Sequence, residues 1–221
     1  TWSPNGDRIA YVTSVDGRGP QIHLMWMDTG QSGPLTNLRR APGNLSWSPD
    51  GQWVCFTSDR TGEEQLYLLD QRGRDPWRQL TEERHGFLLP PVWSPDSQYI
   101  LFADKFMRLN LVDVESGEVT VVDESAYDDA WERWGILDYV WSPDSRWLAY
   151  TKNTANMHEV ITLYDRERGE AAQVTDPMFT SWSPSFSRAG VRSSDPRPTV
   201  SVRSSSVSML SMEARLKSVA R

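Results

Sequence analysis

Only one cysteine, Cys55, and three histidines occur in the 221 residues. A lone thiol cannot form an intrachain disulfide, and it leaves the redox compartment open. Cys55 lies in the apolar run Trp53-Val54-Cys55-Phe56, the setting of a buried, inert thiol rather than a nucleophile. His23 and His158 fall at or beside strand positions and His85 in a turn-like stretch, so packing or exposure is the default for all three. The chain has no Gly-x-Ser-x-Gly elbow, no His-Glu-x-x-His helix and no phosphate-binding glycine loop. No catalytic nucleophile–base pair can be nominated, and neither a metal nor a cofactor is expected. No apolar run approaches the ~18 residues that cross a bilayer, so no membrane partner is expected. No secretory leader is present either. The chain opens on Thr1-Trp2, inside a repeat motif, so the natural N-terminus is expected upstream.

The formal net charge is −7, but it is unevenly spread. From Gly190 onward six basic residues (Arg192, Arg197, Arg203, Arg215, Lys217, Arg221) face two acids, Asp195 and Glu213. The body is therefore acidic and the tail basic. An acidic body lacks the clustered Lys and Arg that phosphate contacts need, so no nucleic-acid partner is expected.

What the chain has in quantity is tryptophan, eleven residues, and four of them head one motif. Trp2-Ser3-Pro4-Asn5-Gly6, Trp47-Ser48-Pro49-Asp50-Gly51, Trp93-Ser94-Pro95-Asp96-Ser97 and Trp141-Ser142-Pro143-Asp144-Ser145 recur at spacings of 45, 46 and 48 residues. A period of that size with a tight turn in each unit predicts a β-propeller. The second unit shows the grammar. Asn44–Trp47 reads as a strand, Ser48–Gly51 as a turn, Trp53–Thr57 as a strand covered on both faces, Gln65–Asp70 as a third strand and Trp77–Thr81 as a fourth. Ile9–Thr13, Tyr99–Ala103 and Trp147–Thr151 repeat the second strand, and Ile22–Asp28, Arg108–Asp113 and Val160–Asp165 the third. Pro34-Leu35-Thr36, Gln79-Leu80-Thr81 and Gln173-Val174-Thr175 close three units. The expected fold is all-β: a partial propeller of about four blades, each a four-stranded antiparallel sheet. The repeat tryptophans are read as packing between neighbouring blades, and the repeat aspartates as turn caps rather than metal ligands.

Two stretches break the repeat. Glu124–Gly135 lengthens a connection and carries Tyr127, Asp128, Asp129, Trp131 and Trp134, with Tyr127, Trp131 and Trp134 at the spacing of one helical face. This is either a loop or short helix contacting a ligand or neighbouring domain, or a decorated connection packing on its own blade. Those five residues are the candidate binding positions. The second break follows Ser183-Pro184-Ser185-Phe186-Ser187, where Phe186 stands in for the repeat Trp. Arg188-Ala189-Gly190 replaces the expected turn, and no Trp, Tyr or Phe occurs beyond. The expected organisation is a propeller segment over 1–187, an incomplete ring, and a basic Ser/Arg/Val-rich tail over 188–221, disordered or aberrant. A marginal amphipathic helix over 208–216 is the alternative for part of the tail, and the abrupt loss of grammar suggests a shifted reading frame.

The repeat Trp-Ser-Pro-Asp-Gly, the strand Leu66-Tyr67-Leu68-Leu69-Asp70 and the closing Gln79-Leu80-Thr81 resemble the propeller repeat shared by TolB, the prolyl oligopeptidases and tricorn protease. Arg108–Gly117, and the run from Trp141–Tyr150 through Val174-Thr175-Asp176 to Ser183–Ser187, are similar to tricorn in particular. The resemblance implies a large cytoplasmic serine peptidase that trims oligopeptides. Its propellers carry no catalytic residue and guide or gate peptides toward a separate C-terminal catalytic domain. The implied partners are peptides and other domains of the parent, with a homo-oligomer of the full-length protein left open. None of the family's catalytic motifs has a matching position here. The alternatives are a TolB-like periplasmic protein-binding scaffold and the propeller of a prolyl oligopeptidase-type hydrolase.

Overall fold

The computed structural model describes residues 1–14, 17, 19–72, 77–82, 86–127, 135–186, 199–204 and 207–213. Every regular element among them is a β-strand. The chain divides into two compact units, one comprising 1–106 and 111–120, the other 107–110 and 121–221.

Five antiparallel sheets follow one another in chain order. The first holds β1 (Arg8–Thr13), β2 (Gln21–Trp26) and β3 (Ser32–Pro34), and a single bridge from Trp2 to Ile9 marks its leading strand. The second is β4 (Gly43–Trp47), β5 (Trp53–Ser58), β6 (Gln65–Asp70) and β7 (Arg78–Gln79). The third is β8 (Val92–Trp93), β9 (Tyr99–Ala103), β10 (Arg108–Asp113) and β11 (Val119–Glu124). The fourth is β12 (Ile136–Trp141), β13 (Trp147–Asn153), β14 (Glu159–Asp165) and β15 (Glu170–Gln173). The fifth is β16 (Ser181–Phe186), β17 (Thr199–Ser204) and β18 (Val207–Glu213). Each four-stranded sheet is one propeller blade, its strands neighbours in space in the order they leave the chain.

The Trp-Ser-Pro motif is a hairpin lock. In each unit the serine Oγ accepts the N–H that opens the second strand: Arg8 to Ser3 at 3.0 Å, Trp53 to Ser48 at 3.0 Å, Tyr99 to Ser94 at 2.9 Å and Trp147 to Ser142 at 2.8 Å. The same hydroxyl donates to the turn carboxylate, Asp50, Asp96 or Asp144, and in the first unit, where Asn5 replaces the acid, to Asp7. The last turn residue has positive φ: Gly6 at 72°, Gly51 at 71°, Ser97 at 63° and Ser145 at 60°. A side chain there is strained, which is why glycine is favoured. The closing threonines act similarly. Thr36, Thr81 and Thr175 accept the N–H of Ile22, Leu66 and Ile161 through Oγ1.

Strand β5 is covered on both faces, as its unbroken apolar run requires. Val54 and Phe56 join Ala10, Ile22 and Leu24 of the first sheet, while Cys55 joins Ile100, Phe102 and Val112 of the third. Trp47 and Trp93 are buried in these inter-sheet clusters, and Trp47 Nε1 donates to Thr1 O at 3.3 Å. Trp2, at the head of the first motif, is 56% exposed.

A further periodicity appears only in the backbone. Asn44, Asp138 and Ser183 each precede the motif aromatic (Trp47, Trp141, Phe186) by three residues and have φ of 50–52°. Each sits where the register of its leading strand shifts, between Gly43 and Ser46, Leu137 and Val140, and Trp182 and Ser185. Asn, Asp and Ser tolerate this bulge geometry better than branched residues. Asp138 Oδ2 accepts the N–H of Ser183 at 3.0 Å, tying β12 to β16.

Of 188–221, residues 199–204 and 207–213 are described. Strand β17 pairs with β16 and β18 with β17, without the turn motif, and the register breaks twice, between Trp182 and Ser185 and between Val202 and Ser204. Val200 is 2% exposed and clusters with Ala149, Ile161 and Leu163 of the fourth sheet. The helix considered over 208–216 is corrected for 208–213, since Val207–Glu213 is a strand. In β17, Val200 and Val202 flank Ser201, a period of two that suits a strand.

Candidate functional site

In a four-stranded antiparallel blade, the turn between strands two and three and the connection from strand four to the next blade leave from the same end. The opposite end carries the Trp-Ser-Pro and Asp-x-x-Gly turns, whose polar groups are spent on the fold. Asp113, for example, accepts from Glu115 N, Ser116 N and Ser116 Oγ at 2.8–3.0 Å. Asp165 does likewise with Glu167 N, and also holds Arg146 through two hydrogen bonds at 2.8 and 3.3 Å. The sequence-varied end is where recognition chemistry can sit.

Each compact unit has a cavity there. In the first unit, an open cleft of about 550 Å³ lies between Arg40, the turn Asp59–Glu64, Gly86, Phe87 and Lys105. Arg40 is ion-paired with Asp59. Glu64 Oε2 accepts the N–H of Leu88 at 2.7 Å, fixing the connection that carries Phe87. Lys105 passes so close to Gly86 that a Cβ there would lie 2.0 Å from Lys105 Cδ, and its ammonium sits 5.1 Å from the Phe106 ring.

In the second unit, about 420 Å³ lies between Asp123, Glu124, Tyr127, Lys152 and the turn after β13. Asp123 is the pivot: it accepts from Tyr150 Oη at 2.8 Å and from Lys152 Nζ at 2.7 Å. Burial, and then the neighbouring Asp123 charge, push the Tyr150 phenol well above its ordinary value, so it serves as a donor. Ser125 Oγ donates to Tyr127 O at 2.7 Å and accepts from Tyr127 N at 3.3 Å, setting the backbone that carries the ring.

Of the five candidate positions named from sequence, Tyr127 lines this cavity and is 48% exposed. Asp128, Asp129, Trp131 and Trp134 lie outside the described residues. Lys152, Asp123, Phe87 and Arg40 were not singled out from sequence, because none belongs to a motif. Their signal is positional: Lys152 lies at a second-strand end, Asp123 at a fourth-strand end, and Phe87 and Arg40 in inter-blade connections.

The described residues hold no group of His, Cys, Asp and Glu suited to a metal ion. Cys55 is buried, and burial pushes its thiol well up, so it is not a nucleophile. His23 is buried in β2 beside the Tyr11 ring. His158 Nδ1 lies 2.9 Å from Thr180 Oγ1, but no carboxylate is hydrogen-bonded to this imidazole among the described residues. That contact ties a turn to a connection and lacks the orienting third group of a catalytic triad. His85 lies outside the described residues.

Comparison with known proteins agrees with the geometry. The profile of the tricorn protease second beta propeller domain matches residues 39–191. An uncharacterized peptidase of Bacillus subtilis, YuxL, is 29% identical over 197 residues, covering 86% of this chain and 27% of its own length. Tricorn protease homolog 1 of Streptomyces coelicolor is 30% identical over 197 residues, covering 85% of this chain and 18% of its own. The crystal structure of the tricorn protease shares the fold, with a TM-score of 0.63 and 20% identity over 81% of this chain and 19% of that one. The chain thus spans well under a third of the length of these relatives.

Proposed function

Because the chain belongs to the tricorn protease second β-propeller domain family, we propose that it is a non-catalytic segment of a tricorn-like serine peptidase that guides or gates oligopeptides toward a catalytic domain elsewhere in the parent. The observation that carries this reading is the span of the family match, residues 39–191, which includes the described lining of both loop-end cavities. The proposal also takes the protein to be cytoplasmic, on the family resemblance. Cavities of 420 and 550 Å³ suit a peptide side chain with its flanking amides.

The test is direct. The 221-residue chain, followed by its tryptophan fluorescence, is titrated with acetylated oligopeptides of five to eight residues, and separately incubated with short fluorogenic peptides. Saturable binding without hydrolysis is expected. Absence of binding to any peptide refutes the guiding role. Hydrolysis abolished by a single substitution in this chain refutes its non-catalytic character.

A further inference from the structure

The two cavities share no residue, yet among the described residues their linings have a similar chemical composition. In the first, Arg40 and Lys105 face Asp59, Glu63 and Glu64, one carboxylate more than cations. In the second, Lys152 faces Asp123 and Glu124, again one carboxylate more. Each also presents one half-exposed aromatic ring from its inter-blade connection, Phe87 or Tyr127. The charged groups are held by the fold: Asp123 by Tyr150 and Lys152, Glu64 by the Leu88 N–H, and Arg40 by Asp59.

An aromatic face beside an excess carboxylate attracts a cation twice, through the ring quadrupole and through the charge. It repels an anion for the same reasons. The chain's net charge of −7 adds longer-range attraction of the same sign. Building on the peptide-guiding reading, we infer that the loop-end cavities select basic peptides, each taking the ammonium of a lysine or the guanidinium of an arginine. A free peptide amino terminus offers the same chemistry, and acetylation separates the two sources.

The experiment uses the 221-residue chain, isotopically labelled and observed by amide NMR at low ionic strength. The probes are acetyl-Gly-Gly-X-Gly-Gly-amide peptides with X as Lys, Arg, Gln or Glu, together with unacetylated pentaglycine amide. Lys and Arg peptides are expected to bind about fivefold more tightly than Gln, with Glu weakest, the scale of one exposed ion pair plus one cation–π contact. The preference should shrink at high salt. Shifts should appear at Ala126 and Tyr127 and at Gly86 and Phe87. Glu124→Gln or Tyr127→Ala should weaken the Lys peptide about threefold at the second cavity, with the first cavity as internal control. If only the unacetylated peptide binds, the side-chain assignment is overturned in favour of the amino terminus. Equal binding of Lys, Gln and Glu peptides, or tightest binding of Glu, overturns the charge selection while leaving peptide guiding intact. Failure of every peptide overturns the underlying reading as well.

Discussion

Ser46 and Ser48 lie two residues apart, and their alanine variants should behave oppositely. The Ser48 side chain is fully buried. Its Oγ accepts the Trp53 N–H at 3.0 Å and donates to Asp50. In Ser48→Ala the Asp50 carboxylate, at the surface, regains water, but the Trp53 N–H stays inside the hairpin without its acceptor. The expected loss is about 1–2 kcal/mol, the cost of one stranded buried donor. At roughly 2–4 °C per kcal/mol for a chain of this size, the melting temperature should fall by roughly 2–8 °C. Ser46 Oγ is buried with no hydrogen-bond partner among the described residues, so it already bears a desolvation cost with no return. Ser46→Ala removes that cost and should be neutral or slightly stabilising. The assay is urea and thermal unfolding of both variants followed by tryptophan fluorescence, with calorimetry to separate the two compact units. The hairpin-lock account is refuted if Ser48→Ala lies within ~0.5 kcal/mol of the parent, or if Ser46→Ala is as damaging.

Gly51 has φ of 71°, and the nearest atom a Cβ would meet is Pro4 Cδ at an ordinary 3.6 Å. Gly51→Ala should therefore cost about 1 kcal/mol from backbone strain alone, read as a lower urea midpoint at unchanged slope. Asp165 supplies a pH test: burial alone would raise its carboxyl, but the hydrogen bonds and charge of Arg146, with the N–H of Glu167, outweigh this and hold it below the usual carboxylate range. A depressed folded pKa adds stability above the unfolded value near ~4, lost as pH falls through the folded one. The urea midpoint should drop below about pH 4, and Asp165→Asn should be less stable at neutral pH while losing less on acidification.

Much of the blade was legible in sequence because its turns are local. Serine, proline, acid and glycine within five residues define a hairpin whose hydrogen bonds close inside the motif, as Ser48, Asp50 and Trp53 show. Strand Gln65–Asp70 was read with its observed bounds. The fourth strand of the third blade, Val119–Glu124, was not read, because its Gly-Glu-Val-Thr-Val-Val lacks the closing Gln-x-Thr. Trp77–Thr81 shrank to Arg78–Gln79, as outermost strands have one neighbour and few constraints.

The sequence by itself determined the repeat, the succession of strands and the turn-capping duty of the repeat aspartates, since each of those turns closes within a few positions of itself. Tertiary structure decided what the repeat does not encode. It placed Asp123 against Tyr150 and Lys152, 27 and 29 residues away, and Glu64 on the N–H of Leu88, 24 residues away. It also buried Val200 of a segment without blade grammar against the fourth sheet. Those contacts join chain positions whose sequence separation varies from blade to blade, so no fixed spacing announces them. Only the stacking of one strand end beside another brings their charges and rings within reach.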